Sequence, residues 1–374
     1  MIKRLINPAD YLKPQKAVII LGPRRAGKTT LLNECLRETS FRFKLDTGDN
    51  IRLRALFEKG DMSEILAYAE NYDLLAIDEA QEIPDIGRGL KILTDYCPGL
   101  RIIVTGSSSF DLVQKVGEPL TGRKRSLILY PVSQQELLSV HNRYELREKL
   151  DEFMIFGSYP EVISAPSRSE KIEILTELVN SYLLKDVLAL GDIRAPGELL
   201  NLVKLIAFQT GSEVSLNELA SQLKIDVKTV ERYLDILEKG FVIKKLSSFS
   251  RNLRKEISKK SKYYFLDNGI RNAVIMQFNN PELRNDMGQL FENFMVMERI
   301  KYQTYNGVYG NNYFRRTYDK KEIDFIEERD GKLFAYEFKY SPDKKVKKPS
   351  EFLTEYPGSE FKVINSENYQ EFVT

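Results

Sequence analysis

Cysteine, histidine and long apolar runs are scarce in this sequence, and tryptophan is absent. The only cysteines, Cys35 and Cys97, have no spacing partners, which excludes a disulfide framework and a structural zinc site. Because His141 is the single histidine, any mechanism that needs a histidine base depends on that residue. No apolar run approaches the ~20 residues of a membrane span, and no signal-peptide stretch opens the chain. We therefore expect a cytoplasmic protein without membrane contacts.

The sequence also lacks a strong excess of either charge. Its 56 Lys and Arg residues against 54 Asp and Glu residues give a formal net charge of +2. The whole molecule is therefore not a general binder of polyanions, and basic patches must be sought locally. A length of 374 residues is enough for two or three domains, each with its own core.

The most informative motif is the sequence Gly-Pro-Arg-Arg-Ala-Gly-Lys-Thr at residues 22–29, which fits the phosphate-binding pattern G-x-x-x-x-G-K-S/T. It follows the apolar run Val18–Leu21 and precedes a helix-like segment, Thr29–Glu38. The glycines let successive N–H groups point at a triphosphate beside a helix N-terminus. Lys28 can reach the β/γ-phosphates, and the hydroxyl of Thr29 can ligate Mg²⁺. The sequence thus predicts binding of ATP with Mg²⁺, with ATP expected over GTP, by Gly22, Pro23, Arg24, Arg25, Ala26, Gly27, Lys28, Thr29 and Thr30.

A second nucleotide motif ends a later apolar strand, Leu74-Leu75-Ala76-Ile77-Asp78-Glu79. Asp78 can hold the Mg²⁺ shell, and Glu79 can polarise the attacking water as general base. The next strand ends in Thr105 and Ser107, whose hydroxyls we expect beside the γ-phosphate. For Ser107, a polar cap at the strand end is an equally good interpretation.

Arg123 precedes another strand candidate and has two interpretations of equal weight. Its guanidinium could act in trans on a neighbouring subunit's γ-phosphate, or it could be a surface arginine in a basic turn. The surrounding alternation of short strands and amphipathic helices predicts a mostly parallel sheet covered on both faces. The strand candidates are Phe41–Leu45, Leu74–Ile77, Ile102–Thr105 and Ser126–Leu129, and the helix candidates are Ile51–Phe57, Met62–Glu70, Gly89–Tyr96 and Phe110–Val116.

Together, residues 22–30, 74–81, 105–109, 120–123 and 129–136 resemble a bacterial and archaeal branch of AAA+-type ATPases. In that branch the ATPase module is fused to a C-terminal region of unassigned function. The resemblance implies a five-stranded parallel core with strand order 5-1-4-3-2. It also implies a sensor role for Thr105 or Ser107 and an arginine-finger role for Arg123, and residues 153–162 resemble the group's helical lid.

Residues 195–268 have the rhythm of a winged helix. Ser215 and Glu218 form a capping box, Ile225-Asp226 makes the turn, and a second helix follows from Val227 to Lys239. The segment 251–262 adds a basic wing. DNA binding and a role in packing or subunit contact both remain open. The candidate DNA contacts are Lys228, Arg232, Arg251, Arg254, Lys255, Lys259 and Lys260.

The C-terminal segment 285–374 carries a hairpin with its turn at Asp330-Gly331. Period-two alternation puts Glu337 and Lys339 on one face, and Asp324 on the preceding strand can lie opposite. This arrangement resembles the PD-(D/E)XK nuclease core. The resemblance implies metal binding by Asp324, Glu337 and Glu292 and a catalytic role for Glu337 and Lys339, with Glu298 as an alternative carboxylate donor. A surface salt-bridge ladder on a noncatalytic domain is the other interpretation.

These features predict an α/β multidomain protein with an ATPase core at 1–135, a helical lid at 136–194, a winged helix at 195–268 and a restriction-endonuclease-like domain at 285–374. The leading hypothesis is an ATPase that acts on DNA through its later domains. The alternatives are a regulatory switch ATPase whose noncatalytic C-terminal domain binds a protein partner, and a nucleotide-controlled transcription factor. A homo-oligomer is left open.

Overall fold

The computed structural model describes residues 2–107, 120–181, 196–250, 261–316 and 321–374. The chain divides into an N-terminal unit, residues 4–131 with 239–241, and a C-terminal unit, residues 132–238 and 242–374 with the first three residues. In the described ranges, no helix combines the length and apolar character that crossing a bilayer requires.

The N-terminal unit is built on a five-stranded parallel sheet. The strand order β2-β3-β4-β1-β5 confirms the predicted order 5-1-4-3-2. All five residues of β1, which lies between β4 and β5, are buried, as expected for a parallel strand covered on both faces. The elements are β1 (Ala17–Leu21), α1 (Lys28–Glu38), β2 (Phe43–Thr47), α2 (Ile51–Lys59), α3 (Met62–Ala69), β3 (Leu74–Asp78), α4 (Ile86–Tyr96), β4 (Arg101–Gly106) and β5 (Lys124–Ile128), with short 3-10 helices at Pro8–Tyr11 and Ala80–Glu82.

The strand register brings the two nucleotide motifs to one edge of this sheet. Leu21, the last residue of β1, pairs with Gly106 of β4, and Ile77 near the end of β3 pairs with Val104. The carboxyl ends of the three strands therefore meet where the phosphate loop begins. The helix predicted at Phe110–Val116 lies outside the described residues.

The C-terminal unit contains most of the helices and a seven-stranded mixed sheet of order β12-β11-β10-β9-β7-β8-β6. Its helices are α5 (Gln134–Leu137), α6 (Arg143–Glu148), α7 (Leu150–Phe156), α8 (Pro160–Ser164), α9 (Arg168–Leu178), α10 (Pro196–Phe208), α11 (Leu216–Leu223), α12 (Val227–Lys239), α13 (Asn268–Val274), α14 (Met287–Tyr305), α15 (Ser350–Glu355) and α16 (Gln370–Val373). Its strands are β6 (Glu213–Val214), β7 (Ile243–Ser248), β8 (Ser261–Phe265), β9 (Asn311–Arg316), β10 (Glu322–Arg329), β11 (Lys332–Lys339) and β12 (Glu360–Asn365), and a 3-10 helix lies at Pro281–Leu283.

The predicted C-terminal hairpin is present. Strands β10 and β11 pair antiparallel around Asp330 and Gly331, whose φ angles of 52° and 73° suit the tight turn that joins them. Strand β12 then pairs parallel with β11. This geometry places the residues of the D…E-x-K pattern on neighbouring strands.

The helix pair predicted around residue 225 is also present as α11 and α12. Ser215 accepts a hydrogen bond from the backbone N–H of Glu218, which starts α11, and the apolar face of α12 is buried. The two strands that follow, β7 and β8, do not form a sheet of their own. Strand β7 pairs parallel with β9, which precedes the C-terminal hairpin. Strands from 213–265 and from 311–365 therefore share one sheet. The four-domain division drawn from the sequence stays a prediction.

Candidate functional site

The phosphate loop needs glycine at both motif positions. A Cβ atom at Gly22 would stand 2.1 Å from the carbonyl oxygen of Leu129, which is far inside any allowed contact. Gly27 has a φ of 100° and precedes the first residue of α1. Side chains are excluded at the first position by space and disfavoured at the second by backbone conformation. The loop thus holds its backbone close to the helix N-terminus, where an anion is stabilised.

Lys28 lies inside the loop. Its ammonium donates hydrogen bonds to the carbonyl oxygens of Gly22 at 3.1 Å and Pro23 at 2.9 Å, and the side chain is buried. The cation is therefore held at the centre of the curl, where it can meet phosphate oxygens. Arg4 supports the same loop from outside, since its guanidinium donates to the carbonyl oxygens of Ala26 at 2.8 Å and Tyr130 at 2.6 Å.

A chain of hydrogen bonds joins the two nucleotide motifs. The hydroxyl of Thr29 donates to Oδ2 of Asp78 at 2.8 Å, and the hydroxyl of Thr105 donates to Oδ1 of the same carboxylate. The backbone N–H of Glu79 donates to Thr105 Oγ1 at 3.1 Å. The Thr29 hydroxyl and the Asp78 carboxylate are oxygen ligands of the kind that Mg²⁺ binds. Together with the phosphate loop and Lys28, they fit the binding of ATP with Mg²⁺.

Gln81 connects the carboxylate of Glu79 to Ser107. Its side-chain amide donates to Glu79 Oε2 and to Ser107 Oγ at 3.1 Å, and its oxygen accepts from the Ser107 N–H at 3.3 Å. Ser107 is thus linked to the general-base candidate through an amide. Neither Gln81 nor Arg4 was predicted as a site residue from the sequence, although Gln81 stands only two residues after Glu79.

Arg123 is not part of this site. It directly precedes β5, whose first residue pairs with Ala17 at the amino end of β1, and the phosphate loop follows the opposite end. Its Nε lies 2.6 Å from Oδ1 of Asp95, and its side chain is 43% exposed. Arg123 therefore cannot serve the phosphate site of its own chain, and its role in trans stays a prediction.

The candidate DNA-binding residues are only partly within the described chain. Lys228 and Arg232 lie exposed on α12, with the Arg232 guanidinium 5.6 Å from the ring centroid of Tyr233. Lys262, the last residue of the segment 251–262 predicted as a basic wing, is fully buried. The other candidates, Arg251, Arg254, Lys255, Lys259 and Lys260, lie outside the described residues.

The C-terminal carboxylates do converge. Lys339 Nζ lies 2.6 Å from Oε1 of Glu337 and 3.9 Å from Oδ2 of Asp324, and the same Asp324 oxygen accepts the N–H of Phe338 at 2.8 Å. Glu292 joins them from α14. We call Glu292, Glu322, Asp324 and Glu337, together with Lys262 and Lys339, the carboxylate cluster.

Burial dominates the electrostatics of this cluster. It raises the pKa of Glu292 to about 7, although Lys262 and a hydrogen bond from Tyr264 oppose that rise. It also raises the pKa of Asp324 and of Glu337, and in Glu337 the charge of Asp324 adds to the effect. Four acidic groups compete for two ammonium groups in poorly hydrated surroundings.

The alternative donor, Glu298, does not reach the cluster. It is buried elsewhere on α14, where its carboxylate accepts from Lys301 at 2.7 Å and from the N–H of Gln134 at 2.7 Å. Among the residues that the structure describes, no group of three or more His, Cys, Asp or Glu side chains is arranged to hold a metal ion. The nuclease-type metal site predicted at Asp324, Glu337 and Glu292 stays a prediction.

A cavity of about 350 Å³ opens beside the cluster. Its lining includes Glu337 and Lys339, an apolar floor with Phe352 and Phe361, and more basic than acidic side chains. Within the described part of the chain, the buried Nη1 of Arg315 has no hydrogen-bond partner. The cavity therefore suits an anion with an apolar portion. The basic lining residues are Arg315, Lys321, Lys339, Lys345, Lys347 and Lys348.

The chain is similar to proteins from both archaea and bacteria. An uncharacterized protein of Methanocaldococcus jannaschii is 28% identical over 345 residues, covering 86% of this chain and 75% of that protein. One from Mycobacterium tuberculosis is 26% identical over 327 residues, covering 86% of this chain and 70% of that protein. Among solved structures, the Walker-type ATPase of Pyrococcus abyssi aligns with a TM-score of 0.46 and 16% identity, over 69% of this chain and 91% of that one.

Family profiles divide the chain into three matched regions. Two domains of unknown function match residues 147–281 (DUF8612) and 287–372 (DUF4143). Because both matches are to domains of unknown function, the winged-helix and nuclease-like interpretations stay predictions. The profile of an AAA domain matches residues 14–138, the segment that holds the phosphate loop and both acidic residues. Residues 14–138 are therefore an AAA-type P-loop ATPase domain.

Proposed function

We propose that the protein binds ATP with Mg²⁺ and hydrolyses it at the phosphate loop. The hydrogen-bond chain from Thr29 through Asp78 to Thr105 carries this proposal, because it aligns the Mg²⁺ ligands with the sensor hydroxyl. Lys28 would neutralise charge that develops on the phosphates, and Glu79 would orient and deprotonate the attacking water. Ser107 would act through Gln81, which holds the Glu79 carboxylate.

Two substitutions separate binding from hydrolysis. Lys28→Ala should abolish ATP binding in calorimetry, because the phosphates lose their central cation. Glu79→Gln should retain binding and lose turnover, because the amide cannot accept the proton of water. Lys16→Ala, at an exposed lysine near the other end of β1, is the matched control and should behave as wild type. Normal ATP turnover in Lys28→Ala would refute the assignment.

We further propose that the C-terminal unit binds DNA without cleaving it, so that the ATPase works as a nucleotide-controlled switch. The basic cavity supports DNA binding, since phosphate groups could pair with its three exposed lysines, Lys345, Lys347 and Lys348. Cleavage by Glu337 and Lys339 is not part of this proposal, because the described His, Cys, Asp and Glu side chains include no group of three or more arranged to hold a metal ion.

Salt-dependent binding of short duplex DNA tests this proposal. Lys347→Ala should weaken binding and reduce the slope of affinity against salt by about one unit, because one phosphate contact is lost. Lys362→Ala, at an exposed lysine on β12 outside the cavity, is the control. Loss of binding on changing Lys228 and Arg232 but not Lys347 would instead favour the transcription-factor hypothesis. Wild-type protein with no affinity for DNA would favour a protein partner.

A further inference from the structure

The carboxylate cluster already contains a cation at its centre. Lys262 on β8 is fully buried, and its Nζ lies 3.0 Å from Oε1 of Glu292 and 2.6 Å from Oε1 of Glu322. The aromatic ring of Phe314 covers it, with the ring centroid 5.3 Å from Nζ. Two carboxylates and an aromatic ring therefore surround this buried ammonium.

Donors other than Lys262 also reach the carboxylates of the cluster. Tyr264, two residues after Lys262 on the same strand, donates its hydroxyl to Oε1 of Glu292 at 2.7 Å. On the other side, Lys339 pairs with Glu337, and a backbone N–H of β11 donates to Asp324. A divalent ion that entered would have to displace hydrogen-bond donors that the fold holds in place.

The charge balance explains why a lysine is needed there. Buried carboxylates are strongly destabilised unless a cation or hydrogen-bond donors compensate them. A divalent metal can supply that compensation, and so can an ammonium group fixed by the strand that carries it. The positive charge of Lys262 acts on Glu292, Asp324 and Glu322 alike, which is the set of groups that a central ion would serve.

We propose that the ammonium of Lys262 takes the place of a divalent cation in the carboxylate cluster, so that removing this lysine opens a site for Mn²⁺ or Mg²⁺. In the natural protein the carboxylates of the cluster are then paired with ammonium groups, and they can bind a metal ion only when Lys262 is removed. This inference concerns the cluster alone and does not depend on ATP hydrolysis or DNA binding.

Mn²⁺ binding to the full-length, nucleotide-free protein tests the inference, with free Mn²⁺ followed by electron paramagnetic resonance. Lys262→Ala should bind one Mn²⁺ more than wild type, or bind it about tenfold tighter or more, because a fixed positive charge and its volume are both removed. The double variant Lys262→Ala/Glu292→Gln should lose that gain. Lys171→Ala is the matched control, because this mostly buried lysine pairs with the single carboxylate of Glu152.

Two results would overturn the proposal. One is a folded Lys262→Ala protein with no gain in Mn²⁺ binding over wild type. The other is tight Mn²⁺ binding by wild type that disappears in Glu337→Gln, which would mean that the cluster accepts metal with Lys262 present. The second measurement needs no change at Lys262, so it can refute the proposal even where Lys262→Ala fails to fold. Lys262→Met keeps most of the side-chain volume, so comparing it with Lys262→Ala separates the loss of charge from the loss of packing.

Discussion

Thr105→Val is the sharpest test of how the ATPase site is organised. The Thr105 hydroxyl donates to Oδ1 of Asp78 and accepts the N–H of Glu79, so it joins the Mg²⁺ ligand to the general-base candidate. The side chain is fully buried, and valine has nearly the same shape. The substitution therefore removes two hydrogen bonds with little change in packing.

The structure gives the expected magnitude. Loss of a hydrogen bond to the ionised Asp78 costs about 1.5–3 kcal/mol, and the Glu79 N–H left without its acceptor costs about 1–3 kcal/mol. We expect the free energy of unfolding to fall by about 3 kcal/mol. We also expect kcat for ATP to fall about 10- to 100-fold, since each ~1.4 kcal/mol of lost transition-state stabilisation is a factor of ten.

Urea denaturation and steady-state ATPase assays measure the two effects. Thr94→Val is the matched control, because Thr94 is also buried but its hydroxyl donates to the carbonyl oxygen of Lys91 within α4. The control should lose less than about 1 kcal/mol and keep its activity. A Thr105→Val protein that matches the control in both assays would refute the role assigned to this hydroxyl.

Three further predictions follow from other contacts. Arg4→Met should weaken ATP binding several-fold in calorimetry, because the phosphate loop loses a charged donor on its outer side; unchanged affinity would contradict this. Gly22→Ala should destabilise the protein by about 1–3 kcal/mol and abolish ATP binding, measured by thermal unfolding and calorimetry, because its Cβ has no space. Burial alone would raise the pKa of Asp286, but hydrogen bonds from Arg284 and Arg271 lower it overall, so its stabilising effect is present above the ordinary aspartate pKa and is lost as pH falls through the lowered value. Asp286→Asn should therefore lower stability at neutral pH and flatten the acid limb of a pH–stability profile; an unchanged limb would contradict the ion pairs.

The ATPase site was largely predictable because its residues lie in short local motifs. A glycine loop between strand and helix fixes its own conformation, and the parallel sheet then brings the ends of β1, β3 and β4 to one edge. The sequence therefore predicted that Lys28, Thr29, Asp78 and Thr105 lie at one edge of the sheet. It missed Arg4, since the contact between Arg4 and the loop depends on how the first residues return to the sheet.

The carboxylate cluster was harder to predict because four separate segments build it. The hairpin pattern located Asp324 and Glu337, and the helix after residue 287 located Glu292. Nothing local indicated that β7 pairs parallel with β9, which makes one sheet of strands from two predicted domains. That pairing explains why Lys262 meets the hairpin instead of lying on a basic wing.

A weak signal for the buried lysine was nevertheless present in the sequence. Lys262 and Tyr264 are two residues apart, so on a strand they share one face, and in the structure both contact Glu292. Lys262 ends a charged run in the sequence and opens a strand that continues into a buried, mostly aromatic stretch, Tyr263–Leu266. A cation at the start of such a stretch must meet buried acceptors, which for Lys262 are carboxylates distant in the sequence. The position of Lys262 among these carboxylates is therefore set by the pairing of β8 with β7 and of β7 with β9, which the D…E-x-K pattern does not predict.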